Sequence, residues 1–253
     1  MKKRITIDGG AVVYEIECPC LARGDSPKQR AAKQKATSDA QRTRNRILST
    51  RQLELLLAKN FPRAGSGLVI TLTFDDAHLP KSRREAQRRF KYFLKKLRLR
   101  RQRNGLPEPR VVYTPEALSS QSGRWHYHIV LDNTGRDLEA VRECWIYGGE
   151  IECEKLRVDR EKNHESLARY MNKELREAQE YDCRPGLHGW SCTRSCAKPE
   201  VDVRIVDERE RLRAPKGATV LIRERRENSF AAWSLLKYRL PPRCFPKPPR
   251  ARR

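Results

Sequence analysis

In GRWHYHIVLDNTG, residues 123–135, two histidines stand one residue apart inside an apolar run. Trp125, Tyr127, Ile129 and Val130 flank them and glycine-containing turns bound the segment, which is the pattern of a strand. Residues i and i+2 of a strand face the same way, so His126 and His128 project together while Tyr127 points to the other face. Such a pair serves a metal or is simply two histidines of a core or surface, and the neighbouring residues decide between them. Glu116, at the end of the preceding strand, is in reach as an oxygen ligand, with Asp75 or Asp76 as the alternative. Two imidazoles and a carboxylate with open positions suit a divalent cation that must also hold substrate oxygens. In ARYMNKE, residues 168–174, Tyr170 and Lys173 are spaced i, i+3. A helix there presents a phenol and an ammonium group on one face.

The bulk of the chain says what such a site would work on. Its 253 residues make one large domain or two small ones, with 55 Lys and Arg against 32 Asp and Glu. A formal net charge of +23 repels itself in a folded molecule unless a polyanion shares the surface, so nucleic acid is the expected partner. No run of about 18 apolar residues is present, and MKKRITIDGG lacks the apolar centre of a signal peptide. No membrane is therefore expected, and the expected compartment is the cytoplasm. There the eight cysteines would be reduced thiols. Cys183, His188, Cys192 and Cys196 have intervals that match no common zinc ribbon or finger.

The elements that must position these groups follow from periodicity. AVVYEIEC reads as a short strand at best, followed by a Lys/Arg/Gln-rich mobile arm. Ser38 with Gln41 forms a capping-box signal for a helix running to about Asn60, where Pro62 and two glycines stop it. LVITLTF, residues 68–74, is a buried strand. A long helix over 82–103 has Ala86, Phe90, Phe93, Leu94 and Leu97 on its apolar face and a local charge of +11 elsewhere, which marks it as phosphate-facing. Strands over 110–114 and 150–158, helices over 138–147 and 164–181, and a hairpin from Gly217 with its turn at 227–229 complete the reading. The Pro- and Arg-rich end reads as disordered. Alternation of half-buried strands with helices gives an α+β class: an antiparallel sheet with helices mainly on one face.

The order VITLTF, then His-hydrophobe-His, then Tyr-x-x-Lys resembles the three motifs of HUH endonucleases of the rolling-circle replication initiator type. The stretch from Lys35 through NFPRAGSGLVITLTFDD to WSCTRSCAKPEV is similar to replication-associated proteins of phages, plasmids and integrative elements. The resemblance spans roughly residues 35–205 and implies a ferredoxin-like HUH fold. It further implies a histidine pair on a central strand and a tyrosine on a helix beside it.

By that resemblance His126, His128 and Glu116 hold Mg²⁺ or Mn²⁺, Tyr170 is the nucleophile and Lys173 the motif lysine. Arg83, Arg84, Arg88, Lys91, Lys95 and Arg98 on the long helix, with Arg124 before the histidines, are the expected DNA contacts. The implied activity is nicking and rejoining of single-stranded origin DNA in a bacterial host cell, with a host helicase as a further candidate partner. One tyrosine in the helix before Tyr181 implies a single-nucleophile mechanism. The expected domains are a basic arm over 1–36, a nuclease domain over 37–205, a hairpin extension over 206–240 and a basic tail over 241–253. The rivals are an HUH transposase or relaxase, and a non-catalytic basic nucleic-acid-binding protein. A relaxase places its tyrosine before the histidines, whereas here it follows them.

Overall fold

A computed structural model describes residues 1–20, 39–116, 125–159, 163–172, 189–227 and 232–245. The chain begins with β1 (Lys2–Asp8), β2 (Val12–Pro19), α1 (Asp39–Asn60), β3 (Gly67–Thr73) and α2 (Arg83–Arg103). It continues through β4 (Val111–Glu116), β5 (His126–Asp132), α3 (Asp137–Cys144), β6 (Ile151–Lys155) and α4 (Glu165–Met171). The last elements are β7 (Ser191–Cys192), β8 (Glu200–Val206), β9 (Thr219–Glu227) and β10 (Ala232–Arg239). The fold is α+β, and the described strands form two five-stranded antiparallel sheets.

The first sheet has the order β6-β3-β5-β4-β7, so the two strands richest in β-branched and aromatic residues sit inside it. Its two faces differ by residue parity. Leu68, Ile70 and Leu72 of β3 join Tyr127, Ile129 and Leu131 of β5 under Ala86, Phe90, Phe93 and Leu97 of α2 and Val141 of α3. The rings of Phe90 and Tyr127 stack at 4.0 Å, which explains the aromatic residue between the two histidines: it belongs to the core. Ser82 caps α2 by accepting from the Glu85 amide at 3.2 Å, while the Glu85 carboxylate reaches back to the Lys81 amide at 2.9 Å. The opposite parity, Val69, Val112 and Val130, packs under α1 and α4. Helices therefore cover both faces, two on each, where the sequence suggested mainly one.

The second sheet has the order β8-β1-β2-β10-β9. It corrects the expected N-terminal arm. Residues 2–19 are not a basic arm but a hairpin, paired on one side with β8 and on the other with β10. The remainder of the supposed arm, from residue 21, lies outside the described residues, as do Ser38 and the tail from residue 246. The expected C-terminal hairpin is present as β9 paired with β10, but it is an integral half of this sheet. The strand expected over 150–158 ends at Lys155.

Helix α1 lies between the two sheets. Leu53, Leu56 and Leu57 enter the core under the first sheet, whereas Leu55 and Ala58 enter that of the second with Tyr14 and Leu235. The run LELLLA is thus apolar all round because it is buried all round. Its one acid, Glu54, is neutralised inside: Lys237 Nζ lies 2.8 Å from Glu54 Oε1, and the Tyr14 hydroxyl donates to Oε2 at 2.8 Å. Burial pushes the Glu54 carboxyl up, against the opposing pull of Lys237 and Tyr14.

Candidate functional site

The site is written across three strands of the first sheet. Thr71 of β3 and Thr114 of β4 stand opposite His128, and Thr73 and Glu116 stand opposite His126. Directly paired residues of an antiparallel ladder share a face. A polar patch of histidines and threonines therefore occupies one end of the α1/α4 face and gives way to Val69, Val130 and Val112 toward the other. The end of β3 is held in place by the Trp145 indole, which donates to the Thr73 carbonyl at 3.2 Å. Gly148 presses against the same carbonyl so closely that a Cβ there would lie 2.0 Å from the oxygen.

The rings of His126 and His128 lie side by side at 5.4 Å. Tyr170, on α4, closes the group from above the sheet, its ring 5.2 Å from that of His128 and its hydroxyl 3.5 Å from His128 Nε2. His128 is nearly buried, whereas Tyr170 is half exposed, so the phenol is open to a ligand that the inner imidazole cannot meet on its own. Thr71 Oγ1 lies 3.2 Å from His128 Nδ1. With Nδ1 as donor to that oxygen, Nε2 carries the lone pair on the side of Tyr170.

Three anchors fix α4, and with it Tyr170. Asn163, in the left-handed region at φ 54°, turns the chain into the helix. His164 is buried and its Nε2 donates to the Phe61 carbonyl at the end of α1, 2.8 Å away. Burial lowers the pKa of this imidazole to about 4, so it is neutral and structural, in keeping with its expected place outside the site. At the other end Asn172 donates to Thr50 Oγ1 of α1 at 2.7 Å. Between them Glu165 pairs with Lys237 of β10 at 2.8 Å, which ties the helix to the second sheet.

The imidazole pair fits a divalent cation as two adjacent nitrogen donors on one face. Thr114 Oγ1, buried beside His128, has no hydrogen-bond partner among the described residues. No three His, Cys, Asp or Glu side chains converge on a common point among the described residues. A third ligand therefore rests on Glu116, whose register position opposite His126 is described and whose side chain is not. Asp75 is occupied elsewhere, accepting from the His78 amide at 2.9 Å and lying 2.7 Å from its Nδ1.

The structure thus brings together His126, His128 and Tyr170. Lys173 and Arg124 lie outside the described residues, as do Cys183 and His188 of the cysteine cluster. The expected DNA contacts on α2 are elsewhere: the helix packs on the Tyr127 face, with the sheet between it and the histidines. Arg84, Arg88, Lys91, Lys95 and Arg98 are exposed and Arg83 is half-buried. Not every charge on α2 is available, however. Arg101, counted as part of the basic face, is buried between Asp132 and Asp137 at 2.8 and 2.6 Å. Sequence reasoning missed the two threonines that flank His128, although the parity of VITLTF puts Thr71 on the non-core side.

Residues 67–175 match the family model of replication-associated proteins of the ORF2 type. The matched stretch, somewhat under half of the chain, begins with β3 and takes in β5 and α4, so it contains His126, His128 and Tyr170. The similarity supports a replication initiator. Neither the comparison with curated proteins nor that with solved structures finds a match.

Proposed function

We propose that this protein nicks and rejoins single-stranded DNA at a replication origin through a 5′-phosphotyrosine on Tyr170. The observation that carries the reading is an accessible phenol on a triply anchored helix, 3.5 Å from the inner member of a paired-histidine motif. The match to a replication-associated family over those same residues supports it, and the net charge of +23 suits a polyanionic substrate.

In this reading Tyr170 Oη attacks the scissile phosphorus in line with the 3′-oxygen. The Oη–P bond forms and the P–O3′ bond breaks; the phenolic proton passes to solvent and the departing 3′-oxygen takes one up. A phenol has a pKa of about 10, so phosphate charge must be neutralised nearby for the attack to proceed at neutral pH. Mg²⁺ or Mn²⁺, held by His126, His128 and Glu116, would supply Lewis acidity at the phosphate. Thr71 orients His128, and the anchors of α4 hold the phenol over it. Lys173 stabilises the phenolate or the phosphate. Because the tyrosyl ester retains the energy of the phosphodiester, attack by a 3′-hydroxyl reseals the strand without a nucleotide cofactor.

The test is incubation with single-stranded origin-type DNA and Mn²⁺ or Mg²⁺, read as a covalent protein–DNA adduct on a denaturing gel. Tyr170→Phe removes one oxygen and leaves the helix and the basic surface intact; adduct and cleavage should vanish while DNA affinity stays within about twofold. An adduct that persists in Tyr170→Phe assigns the nucleophile to another tyrosine such as Tyr181. DNA binding without any adduct in the parent protein returns the chain to the non-catalytic binding reading.

A further inference from the structure

The two edges of the second sheet are built differently. At one edge β9 carries Arg223, Glu224, Arg225, Arg226 and Glu227, and its pairing with β10 shifts register at Lys237/Tyr238. Charge and irregularity of this kind guard an edge against adding another strand. At the other edge β8 pairs in unbroken register with β1 from Val206 to Glu200, contains no proline, and has no strand on its outer side among the described residues. Its alternate residues Val201, Val203 and Ile205 are 63%, 50% and 53% exposed. They are the outer end of an apolar row that crosses the sheet at matched register: Leu235, Ile16, Ile5, Val203. Helix α1 buries the inner end of that row at Leu235 and stops short of the outer one.

The other face of β8 says what fits there. Asp202 and Arg204 flank Val203 and are both exposed, bonded to one another at 2.5 Å. An antiparallel strand placed about a two-fold axis at Val203 sets Asp202 opposite Arg204 of a second copy and Arg204 opposite Asp202. The same operation sets Val201 opposite Ile205 and Val203 opposite itself. Like charges would have opposed such a pairing; here every opposed pair is complementary. We propose that β8 is a self-association edge, through which two copies of this chain join their second sheets into one continuous antiparallel sheet.

Strand addition satisfies the open backbone groups of both edges and lays the exposed valines and isoleucines side by side. Seven residues of strand span about 23 Å, a small contact, and the net charge of each copy opposes association, so the dimer is weak and concentration-dependent. The edge is remote from the Tyr170 helix, which meets this sheet at Lys237 of β10. Two sites can therefore act from one assembly.

Sedimentation velocity on the full chain tests this, over about 1–100 µM protein in about 0.3 M salt to screen the mutual repulsion. The parent protein should shift from monomer to dimer across that range. Asp202→Arg opposes two arginines to two arginines, and Arg204→Asp opposes aspartates to aspartates, so each alone should weaken the dimer at least tenfold. An equimolar mixture of the two variants should restore it, because the opposed residues are again of opposite charge. Both positions are exposed, and circular dichroism checks that each variant folds. A parent protein that stays monomeric throughout, single variants that dimerise as it does, or a mixture that does not recover overturns the proposal.

Discussion

His126 and His128 share a face because they are two apart in a strand, and that much follows from the sequence alone. Tyr127 between them was legible as strand-forming but its role was not; only the packing of α2 shows it stacked on Phe90 in the core. His164 looked from its spacing to be remote from the chemistry, and its burial against the Phe61 carbonyl gives it a different task. That task has a pH signature. The folded-state pKa of about 4 lies below the ordinary 6.5, so between those values the unfolded chain binds a proton that the folded chain refuses. Stability attributable to His164 is complete above pH 6.5, declines as pH falls and levels off below 4, a change of about 3 kcal/mol at most. Urea unfolding at pH 7 and at pH 4.5 should show this loss in the parent protein and lack it in His164→Gln. Parallel pH curves for the two would remove His164 as the cause.

Among the elements, those with strong local periodicity were readable in place: the β3 strand, the α2 helix with its Ser82 cap, and the C-terminal hairpin. The second sheet as a whole was not. Lys2 pairs with Val206 and Val12 with Arg239, and no local pattern reports pairing between the two ends of a chain. The signal that pointed to it was LELLLA in α1, too apolar on every side for a helix that covers one sheet only. Lys237 shows how the second sheet serves the site. It is 1% exposed and pairs with Glu54 of α1 and Glu165 of α4 at 2.8 Å each, linking β10 to the helix that carries Tyr170. Lys237→Met should destabilise the protein by about 3–5 kcal/mol at pH 7, since it leaves Glu54 buried without its cation. The loss should shrink toward pH 5, because a protonated Glu54 needs no partner and its pKa is already raised. Urea midpoints at the two pH values measure this, and Glu54→Gln in the Lys237→Met background should recover part of it. An equal loss at both values would mean that Lys237 acts through Glu165 or through packing alone.

For the molecule as a whole, the distribution of charge matters more than its sum. The exposed basic side chains of α2 lie on one side of the first sheet and the His126, His128 and Tyr170 group on the other. A nucleic acid that meets both must pass around the edge of the sheet, so α2 contributes affinity and not chemistry. Raising salt from about 50 to about 200 mM should therefore lower affinity for single-stranded DNA at least about tenfold in the parent protein. Replacing Arg84, Arg88 and Lys91 with glutamine should flatten the plot of log affinity against log salt by roughly 0.7 for each phosphate no longer neutralised, about 2 in all. The same triple variant should cleave a saturating short oligonucleotide at the parental rate, because none of its three positions reaches the face that bears Tyr170. An unchanged salt slope would take α2 off the path of the DNA. A cleavage rate that falls at saturation would mean that the bound strand brings α2 into the chemistry, against the separation that the sheet imposes.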